Sequence, residues 1–198
     1  SDFYLDEKNT LTTSILYTNS NKNYDSDLYL NDYQPVDEPI KSSLRKVDDN
    51  SDESFLEAFV QYTTKFKTEG HQLSADIKYD KNLGVKKTDI HNSETFPGNE
   101  LTQQKYVKDE SVDNFYVKAD YTLPMKDNGS FEAGFKSNFR NYDNDFASSN
   151  LNQGTQRFEP IVDFTSQIEY NENIYAFYAN YSKQFDKFSF SLGLRTEI

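Results

Sequence analysis

A chain of 198 residues with a mean hydropathy of -0.90 is too polar for a helical membrane protein, and no apolar run is long enough for a transmembrane helix. The net charge of -12 repels phosphate backbones and argues against nucleic acid as a partner, while the absence of cysteine removes disulfides and thiolate metal sites. Yet 15 Tyr and 16 Phe are too many for a disordered tract, so the polarity must be patterned along regular elements.

Residues 1–4 read as the end of a strand that runs into the turn residues Asp6, Glu7, Lys8 and Asn9. Leu11, Thr13, Ile15 and Tyr17 then recur at every second position and share one strand face. Residues 18–53 are rich in Asn, Asp and Ser, contain Pro35 and Pro39, and are expected to form a long loop. Alternation resumes through Leu56, Ala58, Val60, Tyr62 and Phe66. A Lys67-Thr68-Glu69-Gly70 turn leads into Leu73, Ala75, Ile77 and Tyr79.

Residues 80–110 form a second polar tract. Phe115, Val117, Ala119, Tyr121 and Leu123 follow on one face, and a turn over residues 124–130 returns the chain through Phe131, Ala133, Phe135 and Phe139. A third long connection extends from 141 to about 166, with 158–164 a possible extension of the next strand. The last hairpin sets Tyr175, Phe177, Ala179, Tyr181 and Phe185 before a turn at Phe185-Asp186-Lys187. Phe188, Phe190, Leu192 and Leu194 come after it, backed by Ser189, Ser191, Gly193, Arg195 and Glu197.

Connections that alternate short and long fit an all-β, antiparallel, up-and-down transmembrane β-barrel segment of about eight strands, with short periplasmic turns and long extracellular loops. Residues 1–198 then belong to a single β-barrel domain. Strands of about 11 residues, at roughly 3.3 Å each and tilted about 40°, rise on the order of 27 Å, enough to cross the apolar layer of a membrane. Segments 18–53, 80–110 and 143–166 would lie outside the cell, and the turns at 67–70, 124–130 and 185–187 in the periplasm. Phe66, Phe131, Phe185 and Phe188 flank the short turns, where an interfacial aromatic girdle belongs.

The stretch NENIYAFYANYSKQFDKFSFSLGLRTE (171–197) resembles barrel segments of TonB-dependent outer-membrane receptors, in particular the barrel family common in Bacteroidota. Residues 66–80 and 119–145 resemble earlier hairpins of the same barrels. The resemblance implies a bacterial outer-membrane location, energised import of a scarce nutrient, and a TonB complex and outer-membrane lipid as partners. No plug domain, TonB-contacting segment or signal peptide is found within these residues, so they read as a piece of such a protein. Its open sheet edges would pair with the rest of the barrel or with a barrel-assembly partner.

Alternation assigns Tyr121, Phe135, Phe177 and Leu192 to a lipid-facing set, and Lys118, Asp120, Lys136, Arg140, Arg195 and Glu197 to a lumen-facing set. Glu57, Asp76, Lys78, Glu132 and Tyr178 fall on the lumen side too, and the mixed signs predict cross-strand ion pairs. The acidic runs at 48–53 and 143–145 have donors that suit calcium but lack EF-hand spacing, and His71 and His91 stand apart without a zinc partner. No cofactor site is argued. Neither a nucleophile elbow nor a phosphate-binding glycine loop is present, so an enzyme is not expected. The rival architecture is a soluble antiparallel β-sandwich that serves as a surface binding or adhesion module.

Overall fold

The computed structural model describes residues 1–33, 39–98 and 100–198. The chain folds as one antiparallel sheet. In chain order its strands are β1 (Asp2–Tyr4), β2 (Asn9–Tyr33), β3 (Pro39–Lys65), β4 (Gln72–Phe96), β5 (Leu101–Met125), β6 (Gly129–Asn152), β7 (Arg157–Pro160), β8 (Ser166–Gln184) and β9 (Ser189–Glu197). Each strand pairs with its predecessor, except that β6 is shared: β7 pairs with its far end and β8 with the remainder. A short 3-10 turn, Val162–Phe164, separates the two. Residues 158–164 therefore do feed the next strand, but through this interruption. No helix among the described residues is long and apolar enough to cross a membrane.

Tight turns close one end of the sheet, each for a local reason. Asp6 Oδ1 accepts from the amides of Lys8 and Asn9 at 2.8 and 2.9 Å and fixes the first. Gly70 sits at φ 76° in the second, where a side chain would be strained. Asp127 and Asn128 take φ 57° and 59° in the third, a region these short polar residues tolerate. In the fourth, the Phe185 amide donates to the Phe188 carbonyl at 2.8 Å, and the two rings stack at 4.5 Å.

The other end departs from the sequence expectation. The polar tracts 18–53, 80–110 and 143–166 are not irregular loops: most of their residues lie in unbroken ladders. β2 and β3 stay in register from Asn9↔Thr64 to Asp32↔Lys41, and β4 and β5 from Gln72↔Thr122 to Ser93↔Leu101. Strands β2 to β6 are consequently 24 to 27 residues long. At roughly 3.3 Å per residue each extends about 80 Å, so the long excursions are rigid hairpin arms. Pro39 is tolerated because it opens β3, while Pro35 lies outside the described residues.

Reading the register across the sheet gives two continuous faces. One row runs Leu11–Tyr62–Ala75–Ala119–Phe135–Phe177, and the next runs Thr13–Val60–Ile77–Val117–Ser137–Tyr175. The intervening residues make the opposite, polar face. Burial is inverted relative to a soluble protein: Phe177 is 52% exposed and Leu192 68%, whereas the Asp120 side chain is only 29% exposed. Among the described residues the only buried hydrophobics are Ile90 and Ala176. A β-sandwich would bury its apolar face under a second sheet, and a single sheet with its aromatics outward sets that architecture aside.

Candidate functional site

Tyr121, Phe135, Phe177 and Leu192 fall on the apolar face. Phe135 stands opposite Phe177 with ring centroids 5.0 Å apart, and Leu192 stands opposite Tyr181. The Tyr121 hydroxyl lies 2.9 Å from His71 Nε2, and Phe66 stacks on that imidazole at 4.1 Å, so aromatic groups collect beside a tight turn. On β5 the apolar positions run from Phe115 to Leu123. About nine residues at roughly 3.3 Å, tilted about 40°, give a band on the order of 23 Å tall.

Beyond the band the apolar residues change sides. Past Phe139, the face that carried it continues with Asn141, Asp143 and Asp145, while Tyr142 and Phe146 appear on the opposite face of β6. β8 does the same: Tyr175 gives way to Asn173, Asn171 and Glu169, with Tyr170 and Ile168 opposite. On β2, β3, β5, β6 and β8 the switch falls at the row Tyr17–Leu56–Lys81–Asp113–Asn141–Asn171, while on β4 Leu83 and Val85 prolong the apolar face beyond it. A surface that is apolar below such a line and charged above it changes solvent at that line.

Lys118, Asp120, Lys136, Arg140, Arg195 and Glu197 all lie on the polar face. One row reads Gln61–Asp76–Lys118–Lys136–Ala176–Glu197, and its neighbour reads Ser74–Asp120–Gly134–Tyr178–Arg195. Cross-strand ion pairs form as expected, among them Lys22–Glu53, Lys81–Asp113 and Lys86–Asp49, and pairs along a single strand are added to them. Lys78 reaches Glu57 across the ladder at 3.4 Å but also Asp80 along its own strand at 3.2 Å. Lys118–Asp120, Lys108–Glu110 and Arg195–Glu197 all lie two apart on one strand. The signal was present as cation-x-carboxylate, since a period of two puts both side chains on one face.

Sequence reasoning missed a cleft of about 610 Å³ on this face, lined by Tyr116, Lys118, Lys136, Tyr178, Asn180 and Arg195, among others. Its depth depends on glycine. The Tyr178 ring lies over Gly134 directly across the ladder, where a Cβ would run into it. Glycine inside a strand carries no pattern signal, so this pairing could be found only from the register.

Higher on the same face, in the arms, the Tyr106 and Phe146 rings stack at 5.8 Å beside the Lys108–Glu110 pair. The Lys108 ammonium and the Tyr142 hydroxyl, at 2.9 Å, donate to Glu110 and hold its carboxyl below the ordinary range. Thr88 and Lys86 do the same for Asp49. The acidic run containing Asp49 cannot converge on calcium from its own strand, because Asp48, Asn50 and Asp52 point to one face of β3 and Asp49 and Glu53 to the other. Among the described residues no three His, Asp or Glu side chains group as a metal site.

A family model described as "Outer membrane protein beta-barrel family" matches residues 64–198, from the end of β3 to the end of the chain. No curated protein matches the chain.

Proposed function

Since the chain belongs to the outer membrane protein beta-barrel family and its place is the bacterial outer membrane, we propose that it walls a wide aqueous barrel used for energised, TonB-dependent nutrient uptake. The observation that carries a wide, wet interior is the charged face, half-buried at Lys78, Asp80, Lys118 and Asp120 and exposed at Arg140 and Glu197. Lys78, Asp80, Lys118, Asp120, Arg140 and Glu197 spread over β4 to β9. Closing this face into a narrow dry barrel would desolvate all of them at a cost of several kcal/mol per uncompensated ion, whereas a water-filled interior leaves them hydrated. The apolar face then meets lipid. Tyr121, Phe135, Phe177 and Leu192 become lipid-facing, and the six charged residues line the interior.

The TonB-dependent role is supported by the receptor-like pattern of residues 171–197, and the chain's task in it is a conduit without catalysis or cofactor. These 198 residues contain no cysteine, so labelling within them reports only the introduced thiol. In the full-length protein, cysteine at Lys136 should react with a charged, water-soluble maleimide, and cysteine at Phe177 should react only with a lipid-soluble one. Reversed reactivity would overturn the assignment of faces. For the role itself, cells expressing the protein should lose uptake of its nutrient when the proton-motive force is collapsed. Uptake that persists would make the barrel a passive pore.

A further inference from the structure

We propose that the cleft between Lys118, Lys136 and Arg195 is a binding subsite for an organic anion, a carboxylate or similar group joined to a flat apolar body. The inference rests on the reading that the charged face lines the barrel interior. Its starting point is a violation of pairing logic. Lys118 and Lys136 stand directly opposite each other in the β5–β6 ladder, where like charges repel. Asp120 neutralises Lys118, and Glu197 neutralises Arg195. Lys136 has no ion pair among the described residues, and its ammonium lies 5.4 Å from the centroid of the Tyr116 ring. On this face both Lys136 and Arg140 lack an ion pair among the described residues, in a chain with 33 acidic residues against 21 basic ones, and Lys136 is the one that lines the cleft.

The surroundings are those of a site. Small residues lie across the ladder from the larger ones: Gly134 opposite Tyr178, Ala176 opposite Lys136, and Gly193 opposite Asn180. The two-lysine row lies between a row holding Tyr116 and a row holding Tyr178, about 13 Å apart along the strands. An anion on Lys136 and Lys118 therefore has an aromatic ring on either side along the strand, with the Asn180 amide and the Arg195 guanidinium at the margin. The cleft, of about 610 Å³, is an open depression on the sheet, so a ligand would lie flat against the strands with one side in water. An inorganic anion would use the cations alone and leave the rings idle.

The test uses full-length protein in detergent micelles, with 2-naphthoate as probe and 2-naphthylmethanol as its uncharged analogue, both measured by equilibrium dialysis. Naphthoate should bind saturably and at least tenfold more tightly than the alcohol. Lys136→Gln should weaken naphthoate at least tenfold, and Lys136→Arg should restore it to within about threefold. Equal affinity for the two probes, or full affinity in Lys136→Gln, overturns the proposal. If Lys136→Gln loses the heat-modifiable gel mobility of a folded barrel, Arg195→Gln at the half-exposed rim replaces it and should weaken naphthoate at least threefold, with unchanged affinity counting against the site. The maleimide reaction at residue 136 keeps the two readings apart. Labelling from water without naphthoate binding removes only the subsite, and failure to label removes the interior assignment beneath it.

Discussion

Phe135 and Lys136 are neighbours in sequence and opposites in environment, because a strand turns each successive side chain to the other face. Arginine at Phe135 would place a charge in the middle of the lipid-facing band, next to Phe177, and should cost about 2–4 kcal/mol in refolding titrations into lipid. Arginine at Lys136 should cost less than about 1 kcal/mol, since that face already carries cations. Equal costs at the two positions would mean that the faces do not differ in solvent. A second residue-scale expectation concerns Glu110. Its folded pKa lies below the ordinary 4.5, held there first by the Lys108 hydrogen bond, so the pair stabilises the arm fully above about pH 4.5. That contribution is lost as pH falls through the folded value. Hydrogen-exchange protection factors at amides of β5 and β6 in the arm, taken relative to the intrinsic rate at each pH, should therefore fall below pH 4.5, and Glu110→Gln should flatten the dependence. A wild-type profile that is level in acid would remove Glu110 from the account.

At the scale of elements, the band strands were legible and the arms were not, for one physical reason. In the band, Phe115 to Leu123 and Phe131 to Phe139 alternate, with Ser137 the one polar residue on the apolar face, because one face meets an apolar medium and the other a polar one. Above the switch row both faces meet water, and aromatic residues such as Tyr142 and Phe146 move to the opposite side, so no period-two signal survives. Asn and Asp are poor strand formers in isolation, which is why 18–53 reads as a loop. The ladder continues through them because the hairpin register is already set below, and cross-strand polar pairs then add to it: Lys22–Glu53 at 3.1 Å, Asn50–Asn23 at 2.6 Å and Lys105–Asp89 at 3.1 Å. The charged site was legible residue by residue but not as an arrangement, since the cleft depends on which glycine faces which tyrosine. A ladder also resists proteases. Asp49 is paired on both sides, to Tyr24 and to Thr88, so protease added to intact cells should spare it and cut at the turns around Glu100 and at 153–156. Cleavage at Lys126 in intact cells would place the tight turns outside and reverse the topology.

For the whole molecule, the decisive feature is that β1 and β9 lie at opposite edges of the sheet and do not pair with each other. β1 covers β2 only as far as Thr12, with the Ser1 carbonyl accepting from Thr13, and from Ser14 onward β2 has no outer neighbour among the described residues. β9 pairs with β8 on one side alone. Ile15, Tyr17, Leu192 and Leu194 place both edges inside the apolar band, where each backbone group without a partner costs several kcal/mol. Lipid cannot supply that partner, and we propose that in the membrane both edges pair with further strands, of the rest of a barrel or of an assembly partner's sheet. The consequence can be measured. In the membrane-embedded protein, those β9 amides that point away from β8, and the outward amides of residues 14–17, should exchange with solvent as slowly as the doubly paired amides of β5. Fast exchange at these positions, with β5 still protected, would show that the edges are bare, and a bare edge in the apolar layer is incompatible with the family's barrel architecture.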